Sequence, residues 1–185
     1  MAKTKEVKKH WLPVYSTHEF GNYEIGEVPY TEIKTVNGRI LRINLSLLTN
    51  DARKQNAEIA FRIINSDEKK ADTEVLGYNI SNAYIKRVIR KGKEKADDSF
   101  ICETKDKVKV KVKPFFITKN KTKASILTKI RIGIRNIISE YSKETDFEKV
   151  IREIISNSLQ RNLKQEIKKI YPLTLFEIRE FSRIK

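Results

Sequence analysis

Between Lys107 and Lys113 the chain reads KVKVKVK, and this alternation limits its local conformation more than any other stretch. A period of two sets Val108, Val110 and Val112 on one face of a strand and Lys107, Lys109, Lys111 and Lys113 on the other. The valine face needs a core, and the lysine face needs water or an anion. Pro114 follows at once. It cannot donate to a ladder, which predicts an edge position or the end of regular pairing.

After PFFIT and the polar linker KNKTK the period becomes that of a helix. Ile126, Leu127, Ile130, Ile134, Ile137, Ile138 and Tyr141 fall within one arc of about 120°, and Lys129, Arg131 and Arg135 lie outside it. Residues 101–135 hold eleven Lys/Arg and two Asp/Glu, which is nine of the chain's fifteen net positive charges. Cations so crowded need an anion to offset their repulsion, and nucleic-acid phosphate is the commonest one. The competing reading is a solvated edge strand, where lysines discourage edge-to-edge pairing.

The 185 residues are 39% hydrophobic, which suits a single domain of ordinary size with an adequate core. No uncharged apolar run approaches the ~18 residues of a membrane span, and MAKTKEVKKHWLPVY lacks a signal-peptide core. The expectation is a soluble, intracellular protein with no membrane partner. Cys102, the only cysteine, reads as a buried small hydrophobe. His10 and His18 do not have metal-ligand spacing. Residues 1–10 read as a basic arm carrying Lys3, Lys5, Lys8 and Lys9, with 11–185 as one domain. Trp11 has two readings: a platform for an unpaired base, or an anchor tying the arm to its own core.

The segment up to Tyr30, with Gly21, Gly26 and Pro29, reads as largely irregular. A β region is expected from Glu32, and Asn37-Gly38 between EIKTV and RILRINL is the strongest hairpin signal. AEIAFRII (57–64) and TEVLGYNI (73–80) are further strand candidates around a charged turn. Ser81 reads as the N-cap of NAYIKRVIRK, with Tyr84, Ile85, Val88 and Ile89 on one face. The other side, running on to Lys95, holds Lys86, Arg87, Arg90, Lys91, Lys93 and Lys95 against Glu94 alone. This second basic patch suits phosphate, or plain solvation.

Residues 99–103 suggest a short strand, and Gly133 inside the basic helix suggests close approach of another backbone. Thr145-Asp-Phe-Glu148 matches a capping box, opening a helix with Phe147, Val150, Ile151, Ile154 and Ile155 on one side. A break at 156–158 leads to a helix on Leu159, Leu163, Ile167 and Ile170, which Pro172 stops. LTLFEIREF then resumes a strand, with Phe176 and Ile178 opposed to Glu177 and Arg179. No phosphate-binding glycine loop, nucleophile elbow or calcium loop occurs. Asp97-Asp98 and Asp67-Glu68 sit in charged turns, where structural roles outweigh catalysis. An enzyme is therefore the minority reading, and no cofactor or metal is expected.

Four stretches, in matching order, resemble the S-three-Ae (S-three-a) family of archaeal and eukaryotic small-subunit ribosomal proteins. They are Lys8-Lys9 with Trp11, VNGRILRINLSLLTND with its alternating-apolar strand, VKVKPFFIT, and KKIYPLTLFEIRE, which is the most specific. The likeness runs from about Lys8 to Ile184. Gly77–Ala83 departs from the family's Gly-x-Asp-Leu-Thr-Arg-Asp, and Asp106-Lys107 replaces an Asp-Gly turn. The resemblance is closer to the archaeal form, for which no eukaryotic-type C-terminal extension is expected. The resemblance implies a β-sheet or barrel-like core decorated by helices. It also implies a structural role on the platform side of the small subunit, near the messenger exit, with neighbouring ribosomal proteins as partners.

The expected fold class is α+β: a mixed β-sheet or barrel-like core, flanking basic helices, and a helical segment about 123–171 returning to a final strand. The expected function is a cytoplasmic constituent of the small ribosomal subunit that binds rRNA through phosphate neutralisation, shape and 2′-hydroxyl contacts, and is not a homo-oligomer. The candidate RNA-binding residues are Lys107, Lys109, Lys111 and Lys113 on the strand, Lys119, Lys121 and Lys123 in the linker, and Lys129, Arg131 and Arg135 on the helix. To these are added Lys86, Arg87, Arg90 and Lys91 of the second patch, and Lys3, Lys5, Lys8, Lys9 and Trp11 of the arm. The alternatives are a metal-dependent RNA-processing enzyme and a free-standing nucleic-acid-binding chaperone.

Overall fold

The computed structural model describes residues 9–67 and 69–184. Among them, nine strands and five α-helices give an α+β architecture whose mixed sheet does not close into a barrel. The chain divides into two compact units, Met1–Leu76 and Gly77–Lys185.

In the first unit β1 (His10–Tyr15) pairs antiparallel with β2 (Glu24–Tyr30), so the segment expected to be irregular is a strand pair. Gly21 (φ +84) turns the chain between them and Gly26 (φ +145) lies within β2. Leu12, Val14, Val28, Val36, Ile63 and Ala71 close a core over this pair. β3 (Ile40–Asn44) pairs antiparallel with β4 (Ala57–Ser66). The Asn37-Gly38 hairpin does not form. Residues Ile33–Thr35 make a 3-10 turn, and Gly38 donates its N–H to the Ile63 carbonyl at 2.8 Å. The apolar alternation of RILRINL also ends early. Asn44 caps α1 (Leu45–Thr49), its side chain accepting from the Ser46 N–H at 2.9 Å. β5 (Ala71–Ile80) starts here, parallel to β1 at Val14 and Tyr15.

The second unit is built on β8 (Lys109–Thr118), which pairs with β9 (Leu173–Arg183) along its length. On its other side lie β7 (Phe100–Glu103), and then β6 (Lys95–Asp97). The lysine strand is thus interior, and the edge-strand reading falls. Pro114 neither ends the strand nor marks an edge. Between Lys113 and Pro114 the partners step from Glu180 to Ile178, leaving Arg179 as the extra residue of a bulge. The missing proline N–H falls at that irregularity, which a paired strand tolerates. Lys107 does not join the strand; it sits in a turn at φ +58, the conformation glycine favours.

Val110, Val112, Phe116, Phe176, Ile178 and Phe181 share one face and are buried. Burying each contributes about 1.5–3 kcal/mol. Three helices cover that face: α3 (Ala124–Glu144), α4 (Phe147–Ile155) and α5 (Ser158–Ile167). Cys102, opposite Val110, lies with its Sγ 3.6 Å from Ser142 Oγ of α3, and Phe147 stacks on Phe181 at 5.5 Å. The capping box is not used. Thr145 is the C-cap of α3, and Asp106 accepts from the Phe147 N–H at 3.1 Å instead. Ile170 lies beyond α5 and is 45% exposed, because the helix stops at Ile167 before its apolar stripe is complete. Gly133 faces the side-chain tips of Ile167 and Ile170, not a backbone. The close backbone approach occurs at Gly77, where β5 meets β9.

Candidate nucleic-acid interface

The opposite face of β8 carries Lys109, Lys111 and Lys113, followed beyond the bulge by Phe115 and Ile117. The register fixes each lysine's neighbours. Lys109 stands opposite Glu103, and Lys111 stands between Ile101 and Ser182. Lys113 Nζ pairs with Glu180 at 2.5 Å. Burial acts to raise the Glu180 carboxyl, but hydrogen bonds from Lys113 and Ser182, with the charges of Lys113 and Lys111, take it below its ordinary value. Only Lys111 of the three therefore has neutral residues across both ladders, and Ile101 beside it is 64% exposed.

Charge is less opposed at the other end of this face. α2 (Asn82–Val88), capped by Ser81, lies against β9, and Arg179 donates to Asn82 Oδ1 at 2.9 Å. The helix ends at Val88, so Arg90, Lys91 and Lys93 belong to the loop that follows. Antiparallel pairing of β6 with β8, Lys95 opposite Ile117, returns that loop to the C-terminal end of β8. There Thr118 donates its N–H to the Glu94 carbonyl at 2.9 Å, and the linker bearing Lys119, Lys121 and Lys123 leaves the sheet. Lys119 donates its N–H to the Pro172 carbonyl at 3.1 Å, which ties the linker to the start of β9.

A cavity of about 290 Å³ opens at this junction, lined by Arg87, Arg90 and Lys93 with Val88, Ile117, Thr174 and Leu175. No carboxylate lines it. Thr174 holds two ammonium groups: Lys93 Nζ donates to its Oγ1 at 3.1 Å and Lys164 Nζ to its carbonyl at 2.8 Å. Further along, burial pushes the Glu177 carboxyl up to about 7, with Lys164 opposing the shift. Burial, then Glu177 and Tyr84, raise the Tyr78 hydroxyl.

The structure thus joins two stretches that are apart in sequence, 86–93 and 119–123. It separates two that are adjacent. α3 packs on the valine face, so Lys129, Arg131 and Arg135 lie across the sheet from the strand lysines. Lys129 is exposed, and Arg131 is half-buried with its Nε sealed from solvent. Arg135 pairs with both Asp98 oxygens at 3.0 Å and lies over the Phe100 ring, leaving part of its guanidinium exposed. In the first unit Lys9 is exposed and Trp11 is 62% exposed, so Trp11 does not anchor to a core. Lys3, Lys5 and Lys8 lie outside the described residues. Lys164 and Thr174 carry no local sequence signal and emerge only from the pairing. Among the described residues no three His, Cys, Asp or Glu side chains converge as a metal site requires. Nor is any helix among them long and apolar enough to cross a membrane.

The ribosomal S3Ae family model matches residues 2–185. The chain is similar to small ribosomal subunit protein eS1 of Nanoarchaeum equitans, with 33% identity over 174 residues, 94% of this chain and 88% of that protein. The eS1 protein of Methanopyrus kandleri is 30% identical over 184 residues, covering 97% and 87%. That of Methanothermobacter thermautotrophicus is 31% identical over 171 residues, covering 92% and 88%.

Proposed function

The chain belongs to the ribosomal S3Ae family, and from that footing we propose that it is a structural constituent of the small ribosomal subunit that holds rRNA on the cationic end of its second unit. The observation that carries the interface is that Arg87, Arg90 and Lys93 line a cavity with no carboxylate in its lining, at the junction where the linker bearing Lys119 and Lys121 leaves the sheet and the loop bearing Lys91 returns to it. Lys86, Lys111 and Lys123 extend this surface, and Lys129, Arg131 and Arg135 offer a second contact from the helical side. Lys9 and the exposed Trp11 add a charge and a stacking surface from the first unit, alongside Lys3, Lys5 and Lys8 of the arm. Binding is electrostatic positioning, without catalysis or a metal. The partners are small-subunit rRNA and neighbouring platform proteins in the cytoplasmic ribosome, not a second copy of the chain.

The test has two arms. About one copy per small subunit should co-sediment, whereas a free-standing chaperone would stay in the supernatant. With about six phosphate contacts, affinity for a small-subunit rRNA fragment should fall by about 10³ between 50 and 200 mM salt. A flat salt response would falsify the electrostatic reading.

A further inference from the structure

The cavity beside Thr174 is more than part of a charged surface. One wall carries Arg90 and Lys93, and Val88, Ile117 and Leu175 supply an apolar side. Ile117 and Leu175 are direct cross-strand partners, so that part of the lining is fixed by the β8–β9 ladder. A volume of about 290 Å³ far exceeds what a lone phosphate fills, yet it lies at the lower bound of ordinary ligand pockets.

Lys93 uses one of its three donors on Thr174, leaving two free to meet an anion. Lys164 reaches the same threonine from α5, so two ammonium groups converge on one residue with no carboxylate in the lining. Such an arrangement favours anion entry. Glu94 is bonded through its backbone to Thr118 at this junction but is not in the lining, and Glu177, further along this face, is pushed up to about 7 by burial and so only partly offsets the cations at neutral pH.

We infer that this cavity receives one unstacked ribonucleotide of the bound RNA, with its phosphate on Arg90 and Lys93 and its ribose and base against Val88, Ile117 and Leu175. The inference rests on the rRNA-binding reading above and adds a mode of recognition to it. Single-stranded or bulged RNA can splay a base out of its stack, which a paired helix cannot do without being opened. The adjacent Lys119 and Lys121 continue the cationic path for the flanking phosphates.

Methyl NMR on the full chain, followed by rRNA titration, tests this. Adenosine monophosphate should shift the Ile117, Leu175 and Val88 methyl signals, and inorganic phosphate at equal ionic strength should shift them much less. The double variant Arg90→Gln/Lys93→Gln should lose the nucleotide response, bind the rRNA fragment roughly tenfold more weakly, and show a log-log salt slope shallower by about 0.7. Methyl signals that stay unmoved in an rRNA complex with an ordinary salt slope would overturn the pocket while leaving the rRNA reading intact. An equal response to inorganic phosphate or to polyglutamate would overturn the nucleotide assignment. If the wild type fails to bind the rRNA fragment at all, the rRNA reading falls and takes the pocket with it.

Discussion

Replacing Gly77 with alanine tests whether the second unit depends on close backbone contact between β5 and β9. Gly77 is buried opposite Ser182, and its φ is not left-handed, so the constraint is space rather than backbone conformation. An added Cβ would lie 2.7 Å from Ser182 Cα and 2.9 Å from its Cβ, and would also press on the Phe181 carbonyl oxygen. Two of those obstacles are backbone and cannot rotate away, so the strands must part by about 1 Å to restore ordinary contact with the nearer one, the Phe181 oxygen. The three-residue pairing of Gly77, Tyr78 and Asn79 with β9 would then open. Overpacking costs about 1–3 kcal/mol, and two weakened ladder hydrogen bonds add about 1 kcal/mol each. The expected loss is thus about 3–5 kcal/mol, or roughly 6–20 °C in Tm for a chain of this size. Urea unfolding followed by circular dichroism measures it. Gly133→Ala is the control of opposite sign: its Cβ meets only side-chain ends, Ile170 Cδ1 at 3.3 Å and Ile167 Cδ1 at 3.4 Å, and alanine favours a helix interior by up to about 1 kcal/mol. A Gly77→Ala protein within about 0.5 kcal/mol of wild type would refute the reasoning.

Two other predictions concern the same unit. Glu177 has a folded pKa of about 7 against an ordinary 4.5, so the native state keeps a proton that the unfolded chain releases as pH rises through that window. Stability from this group is present below about pH 4.5 and lost by pH 7, a change of about 3 kcal/mol; Glu177→Gln should remove it, and parallel wild-type and variant urea midpoints from pH 4.5 to 8 would contradict it. Asp106→Ala should cost about 1 kcal/mol by freeing the Phe147 N–H at the start of α4, and Asp106→Asn should recover most of that loss; equal denaturation midpoints for all three proteins would rule out the cap.

The sequence was most informative where a pattern needs only local residues. Val110 and Val112 are buried and Lys109 is exposed because alternation is a property of any extended segment once one face is covered. The stripes of α4 and the break at Asn157, with φ +59, follow from helical periodicity and a residue tolerant of left-handed backbone in the same way. Features that depend on a partner were not legible. Asn37-Gly38 has suitable turn residues, but the preceding segment has no strand beside β3, so there is no hairpin to close. EIGEVPY is a poor strand by composition, yet it forms β2 because β1 offers a ladder. Thr145 and Glu148 have capping-box spacing, but Asp106 from a distant turn reaches the helix start.

The interface follows the same division, and strand register accounts for both the gain and the loss. Treated as one linear basic stretch, residues 107–135 suggest a single surface. The sheet splits them, because the valines require α3 on their own side and the lysines must then face away. In compensation, pairing Lys95 with Ile117 brings the end of the 86–93 patch to the base of the 119–123 linker, and pairing Ile117 with Leu175 sets Thr174 and Lys164 beside both. A slip of one residue in either ladder would turn Ile117 to the opposite face and dismantle the cavity. The cationic site is therefore a consequence of β-sheet register rather than of charge density alone: Lys113 lies in the alternating lysine run yet is neutralised by Glu180, while Lys93, from a comparably basic stretch, borders a cavity with no acid in its lining.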